Sequence, residues 1–199
     1  MNEPSKPYHH GDLKEALRRE AAMAIERDGV EKLSLRACAR AIGVDPAAAY
    51  RHFATKDDLV GAVAAGAFAE LNADMERAVA RETDLGRRLL ASGLSYASFA
   101  IRRPNLFRAM FIAAGRATGP LRPTPHQGRD AYQILRDCLS ALADDGALAH
   151  EDVDTMQRTL WAAIHGLADL GVLGLMDADD GQLETTCRFI VYRMIGVRV

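Results

Sequence analysis

Ser34 to Leu59 reads SLRACARAIGVDPAAAYRHFATKDDL, and the order of caps, breaks and bulk in this run decides how the chain begins to fold. Ser34 has the side chain of a helix N-cap, and Leu35, Cys38, Ala39 and Ile42 recur behind it at helical spacing. Gly43 stands where a helix ends in a left-handed turn. Asp45 supplies a second cap, and Pro46 takes the first helical position, where a missing N–H is harmless. Thr55 and Asp58 have the spacing of a capping box, with Asp in place of Glu or Gln, so another helix is predicted from Thr55 to about Arg81. Helix, glycine turn and helix within roughly twenty residues is the helix-turn-helix pattern, whose second helix enters a DNA major groove.

The second of these helices is unusual in its distribution of bulk. A rod lying inside a groove needs a slim first turn, and Ala47, Ala48 and Ala49 permit close approach while offering methyl groups to thymine. Tyr50 and His52 follow at the level of the phosphate walls. Arg51 is a candidate for the same contact or for pairing within the chain, as is Arg40, and Phe53 is expected to anchor the helix in its own core. Lys56 sits in the first turn of the next helix, against the helix dipole. Asp57 and Asp58 soften that conflict, and a DNA phosphate at the amide cluster would use both the lysine and the dipole.

Charge singles out the same segment. Lys32 to Lys56 contains five cations and one anion, whereas Gly61 to Val199 contains 15 arginines and 17 acidic residues. A basic island on a mildly acidic body is the footprint of a small DNA-binding head, although the whole chain carries a net charge of −2.

Apolar residues make up 49% of the 199-residue chain and charged residues 26%, which predicts a globular protein and not a disordered one. Alanine, leucine and arginine dominate and β-branched residues rarely alternate, so the expected fold is all-α. A helix is predicted from Asp12, acting as its cap, to Gly29, with Leu13, Ala16, Leu17, Ala21, Met23, Ala24 and Ile25 as its apolar stripe. His9 and His10 belong to the arm before it, where a structural role at the helix entry is expected ahead of DNA or metal contact. The head is assigned to residues 1–56 and the effector and dimerisation domain to residues 57–199. The long helix beginning at Thr55 joins the head to the helical bundle. Further helices are predicted near residues 84–102, 105–113, 127–144, 151–175 and 179–196, with a mobile loop over the prolines and glycines of residues 115–125.

Cys38, Cys138 and Cys187 are isolated from one another and from any metal-ligand pattern, which predicts inert reduced thiols, no metal and no cofactor. The N-terminus is polar and unlike a signal peptide, and the longest apolar run, Leu59 to Ala69, is too short for a bilayer. A soluble cytoplasmic protein without a membrane partner is expected. No nucleophile–base–acid set and no phosphate-binding glycine loop stands out, so an enzyme is not expected.

Leu33-Ser-Leu-Arg-Ala-Cys-Ala-Arg-Ala-Ile-Gly-Val44, Tyr50-Arg-His-Phe53 and Thr55-Lys-Asp-Asp-Leu59 resemble the DNA-binding head of the tetracycline-repressor (TetR) family of bacterial regulators. Tyr8-His-His-Gly-Asp-Leu13, Arg103-Pro-Asn-Leu-Phe-Arg-Ala-Met-Phe111 and Trp161-Ala-Ala-Ile-His-Gly166 resemble the branch whose C-terminal domain is named for Trp, His and Gly. The resemblance implies a homodimer, a palindromic double-stranded operator and a small effector that alters DNA affinity. It marks Tyr50 and Lys56 as backbone contacts and Arg36 as a residue that reaches DNA, a candidate for guanine. Pro46 and Ala49 depart from the family, whose close members often have a polar or basic residue and a proline there.

In the body, Tyr96, Phe99, Phe107, Met110, Phe111 and Tyr132 are candidates for the lining of a pocket for a small apolar or amphipathic effector. Trp161 and His165 share a helical face and either line that pocket or pack the core. Leu160, Ile164, Leu167, Phe189, Ile190 and Met194 are candidates for a two-fold interface in which the last two helices of each protomer form a four-helix bundle. A ligand that favours another tilt of the long helix would then misalign the heads. The functional expectation is a homodimeric repressor released by a small molecule. The alternative is a helical enzyme, or an interaction module retaining a vestigial head.

Overall fold

Leu13, Leu17, Ala21 and Ile25 recur every fourth residue and are all buried, which makes the first helix, α1 (His10–Asp28), amphipathic. It begins ahead of Asp12, so that residue lies in its first turn and not at its cap. Met23 is 54% exposed: two positions from both Ala21 and Ile25, it falls on the opposite side of a 3.6-residue turn. Gly29 ends the helix at φ +81°, where its N–H donates to the Ile25 carbonyl at 2.8 Å.

The computed structural model describes residues 10–116, 130–148, 152–176 and 179–197. After α1 come α2 (Leu35–Ala41), α3 (Pro46–Tyr50), α4 (Lys56–Ala80), α5 (Leu85–Arg102), α6 (Pro104–Arg116), α7 (Ala131–Asp144), α8 (Val153–Val172) and α9 (Asp180–Phe189). The fold is all-α, and the only strand-like feature among the described residues is an isolated antiparallel bridge between Leu148 and Val197. No described helix is long and apolar enough to cross a membrane. The mobile loop expected over residues 115–125 and the N-terminal arm with His9 fall mostly or wholly outside the described residues.

Contacts divide the chain into Met1–Gly66 with Asn105–Leu121, and Ala67–Pro104 with Arg122–Val199. This differs from a cut after residue 56. Leu59, Val60 and Val63, from the first turns of α4, are buried with the head, and the Asn105 amide of α6 donates to the Glu26 carbonyl of α1 at 2.9 Å. In the second unit α5 packs against α7, α8 and α9. Its glycine at position 93 allows a close approach to α8: a Cβ there would lie 3.3 Å from Ile164 Cδ1.

The helix expected over residues 179–196 is regular only to Phe189. Ile190–Met194 form a π-helix, in which the Ile195 N–H donates to the Ile190 carbonyl at 3.0 Å. The extra residue in this turn moves the inward position from Met194, which is 46% exposed, to Ile195, which is 3% exposed. All three cysteines are buried and outside any disulfide. Burial raises the Cys38 thiol above its usual range and the Cys187 thiol to about 11, which keeps both protonated and poorly reactive.

Candidate functional site

The outer face of the head is set by three local caps. Ser34 Oγ accepts from the Ala37 N–H at 3.4 Å, Gly43 makes the turn at φ +75°, and Asp45 Oδ1 accepts from the Ala47 N–H at 2.7 Å. With Leu35, Cys38 and Ala39 buried, α2 turns Arg36, Ala37 and Arg40 outward. In the five-residue α3, Ala47 and Tyr50 point outward, followed by Arg51, while Ala48 is half-buried. Ala49 is fully buried, so the slim outward face consists of Ala47 and part of Ala48; a helix this short must spend one alanine on its own core.

Arg36, Arg40 and Arg51 are exposed, and none of the three guanidinium groups has a hydrogen bond or ion pair among the described residues. Tyr50 is 43% exposed, a large amphipathic side chain projecting from the end of α3. His52 is half-buried. Phe53 is 3% exposed, with the Lys14 ammonium 5.9 Å from its ring centroid.

Thr55 and Asp58 form a complete capping box. The Thr55 N–H donates to Asp58 Oδ2 at 2.9 Å, and the Asp58 N–H donates to Thr55 Oγ1 at 3.1 Å. Lys56 has an internal partner that its neighbours in sequence do not announce: its ammonium donates to the Glu31 carbonyl at 2.8 Å and so ties the start of α4 to the turn before α2. An ammonium has three donors, so this bond leaves others for a phosphate.

The second unit contains a cavity of about 20 Å³. Met75 of α4, Ser92, Gly93 and Tyr96 of α5, Ala131 and Leu135 of α7, and Leu160, Trp161 and Ile164 of α8 line it. Tyr96 and Trp161 are thus at the cavity. Tyr132 meets the Trp161 ring edge-on at 6.1 Å, and His165 stacks on Trp161 at 5.4 Å. The Tyr96 hydroxyl and His165 Nδ1 share a hydrogen bond of 2.8 Å. Phe99 is buried in the same unit, its ring 5.8 Å from the Arg103 guanidinium carbon. Phe107, Met110 and Phe111 belong to the first unit and are not in this lining.

Burial holds the His165 imidazole below the usual histidine range, against the opposing pull of Asp169. A neutral folded histidine binds its proton less readily than an unfolded one. Stability from this group is therefore complete above about pH 6.5 and declines as the pH falls through that value toward the lower folded pKa. Thermal melts of the wild type should shift downward across that interval, and His165→Gln should flatten the shift.

Of the residues expected at a two-fold interface, Leu160, Ile164, Leu167 and Ile190 are buried within their own protomer, at 8% exposure or less. Phe189 and Met194 are 63% and 46% exposed. Leu170 and Leu173, near the end of α8, are also open, at 40% and 51%. The helical period carried the signal for these two: each follows Leu167 by a whole number of turns less a fraction, which rotates it progressively off the buried stripe.

Residues 17–63 match the family described as bacterial regulatory proteins of the tetR family, and residues 89–194 match the tetracyclin repressor-like C-terminal domain. No curated protein gives a significant match to the chain. Among solved structures, a protein of unknown function from Rhodococcus sp. RHA1 is 29% identical with a TM-score of 0.79, over 96% of this chain and 99% of its own. A tetR-family regulatory protein from Rhodococcus RHA1 is 17% identical with a TM-score of 0.70, over 98% and 100%. RolR, solved in complex with resorcinol, is 16% identical with a TM-score of 0.62, over 94% and 89%; like the preceding structure, it shows the fold alone. The C-terminal match by itself spans more than half of the chain and the N-terminal match covers the capped helices of the head, so the protein belongs to the TetR family of DNA-binding transcriptional regulators, in the branch with a WHG-type C-terminal domain.

Proposed function

We propose that this regulator is a homodimeric repressor that leaves a palindromic operator when a small apolar or amphipathic effector binds its second unit. The observation that carries the reading is the outward face of α2 and α3, where Arg36, Arg40 and Arg51 are without partners among the described residues and flank a slim rod ending in Tyr50. Arginines left unpaired on one face are suited to phosphate and guanine. Ala47 and Ala48 fit against bases without hydrogen-bonding them. Tyr50, Arg51, His52 and Lys56 meet the backbone. A protein working on duplex DNA in this way acts in the cytoplasm. A gel shift with the DNA upstream of its own gene tests the reading, and failure to retard any fragment at low ionic strength would remove it.

Arg36→Ala should relax preference at particular base pairs by about 1–3 kcal/mol, the value of a bidentate arginine–guanine contact. Equal losses on every operator variant would assign Arg36 to the backbone instead. Lys56→Ala should weaken binding to all sequences alike and reduce the slope of log affinity against log salt by about one phosphate contact. Because the ammonium also holds the Glu31 carbonyl, the same variant should lose about 0.5–1.5 kcal/mol of head stability in urea unfolding.

The cavity supports an effector site in the second unit, with a condition attached. Drug-sized ligands occupy roughly 300–1,000 Å³, so a cavity of about 20 Å³ has to widen before an effector fits. The energy that widens it is the energy available for regulation, because a ligand shifts an equilibrium only by its preference between the two states. Helix α4 supports a route for that coupling, since Met75 lines the cavity while Lys56 and Leu59 belong to the head. Operator affinity measured with and without a saturating effector tests this, and equal values would dismiss the compound as an inducer.

Leu170, Leu173, Phe189 and Met194 support a two-fold interface built from the end of α8 and the last helical segment. Such an interface needs roughly 800 Å² from each partner. Its axis would set two α3 helices in successive major grooves, about 34–36 Å apart or a multiple of this.

A further inference from the structure

Among the described residues no charged side chain lines the cavity of the second unit, and its two hydroxyl side chains are already engaged within the protein. Ser92 Oγ donates to the Leu89 carbonyl at 2.7 Å, and the Tyr96 hydroxyl is bonded to His165 Nδ1. Asn72 of α4 is different. It is 7% exposed, and its Oδ1 is buried without a hydrogen-bond partner among the described residues. A buried carbonyl oxygen left alone is destabilising, and leucine in the same space would avoid the penalty.

Its place on the helix gives the orphan atom a use. Asn72 precedes Met75 by three residues, so the two share a face of α4, and Met75 lines the cavity. Asn72 lies outside the present lining. A ring-sized ligand needs more room than the cavity has, and widening by one turn along α4 would bring this face of the helix into the enlarged site. The remaining walls then fix the rest of the ligand's chemistry. Tyr96 and Trp161 offer aromatic surface to a ring. The absence of a countercharge among the described lining residues disfavours an ion, which would have to shed its water with nothing there to replace it.

We infer that the effector is a neutral, ring-sized molecule bearing a hydrogen-bond donor, and that Asn72 Oδ1 accepts from that donor. This rests on the cavity being the effector site. It adds the ligand class and the residue that recognises it.

The chain has one tryptophan, Trp161, and it lines the cavity, so its fluorescence reports occupancy directly. The full-length protein is titrated with phenol, anisole, toluene and benzoate, with excitation at the red edge of the tryptophan band. Phenol carries a donor, anisole only an acceptor, toluene neither, and benzoate a charge. Phenol is expected to bind about tenfold more tightly than anisole or toluene, as one hydrogen bond to an otherwise orphaned acceptor warrants, and benzoate more weakly than all three. Asn72→Leu should bring phenol to the level of anisole and leave toluene binding no weaker than before.

Equal affinities for phenol and anisole in the wild type overturn the assignment while leaving the cavity as a ligand site. So does a preference for phenol that survives in Asn72→Leu, which would place the acceptor elsewhere and leave Asn72 to a trapped water. If none of the four perturbs Trp161, the effector-site reading falls and the assignment with it. The comparison of phenol with anisole uses the wild type alone, so it decides the matter even if the variant does not fold.

Discussion

Phe53→Ala is expected to unfold the head and abolish DNA binding while the second unit stays folded. The ring is 3% exposed, and the Phe53 N–H donates to the Ala49 carbonyl at 3.0 Å, so the last turn of α3 is what seats it in the core. Removing a buried phenyl ring costs about 3–5 kcal/mol. Small folded units have about 5–15 kcal/mol in total, so the loss consumes much of what a head of this size has. Urea unfolding followed by helicity should show the head's transition moved to low denaturant, while Trp161 fluorescence follows the second unit separately. Phe53→Leu should cost less than about 1.5 kcal/mol, because it keeps most of the apolar volume. Tyr50→Ala is the necessary contrast. Tyr50 lies on the outward face, so its loss should leave stability within about 0.5 kcal/mol while still weakening DNA binding. If Phe53→Ala unfolded like the wild type and bound DNA, the ring would have no structural role and the division of α3 into an inner and an outer face would be wrong.

That division was only partly legible in the sequence. Caps and turns act over four residues or fewer, which is why Ser34, Gly43, Asp45 and the pair Thr55 and Asp58 sit in the structure as their residue types predict. The same locality explains what was not legible. Three alanines in a row have no amphipathic pattern, so nothing in their spelling distinguishes the buried Ala49 from the exposed Ala47. The bond from Lys56 to Glu31 joins residues 25 positions apart through the fold of the head, and no local rule reaches that far.

In the second unit the helices were legible and their faces less so. A cavity is lined in part by what is missing, and Ser92, Gly93 and Ala131 matter because they are small where neighbouring helices approach. A scan for aromatic and flexible apolar groups does not find such positions; beside Tyr96 and Trp161, which do line the cavity, it picks Phe107, Met110 and Phe111, which belong to the first unit. Leu160 and Ile164 show the complementary ambiguity. An apolar stripe on a helix is satisfied equally by its own chain or by another copy, and here the protomer itself buries both. The π-turn adds a further shift, because one extra residue exchanges the inward and outward roles of Met194 and Ile195.

The apolar groups left open after that exchange lead to the second large effect. Leu173→Asp is expected to convert the proposed dimer into a monomer and to reduce affinity for a two-half-site operator by about 10²–10⁴, the contribution of binding two linked sites at once. Leu173 is 51% exposed, so an aspartate there costs the single protomer little. Across a two-fold axis the same carboxylate would be buried next to apolar groups, and near its own symmetry copy, with no partner for its charge. Binding to a single half-site should be unchanged, because the head is untouched. Met23→Asp serves as the control: Met23 is as exposed as Leu173 but stands on α1 of the first unit, and should leave the oligomeric state as it is. Sedimentation equilibrium measures the mass, and anisotropy on full and half operators measures the two affinities. A Leu173→Asp protein that sediments as a dimer places the interface elsewhere. One that sediments as a monomer yet binds the full operator as tightly as the wild type removes the two-headed grip from the mechanism.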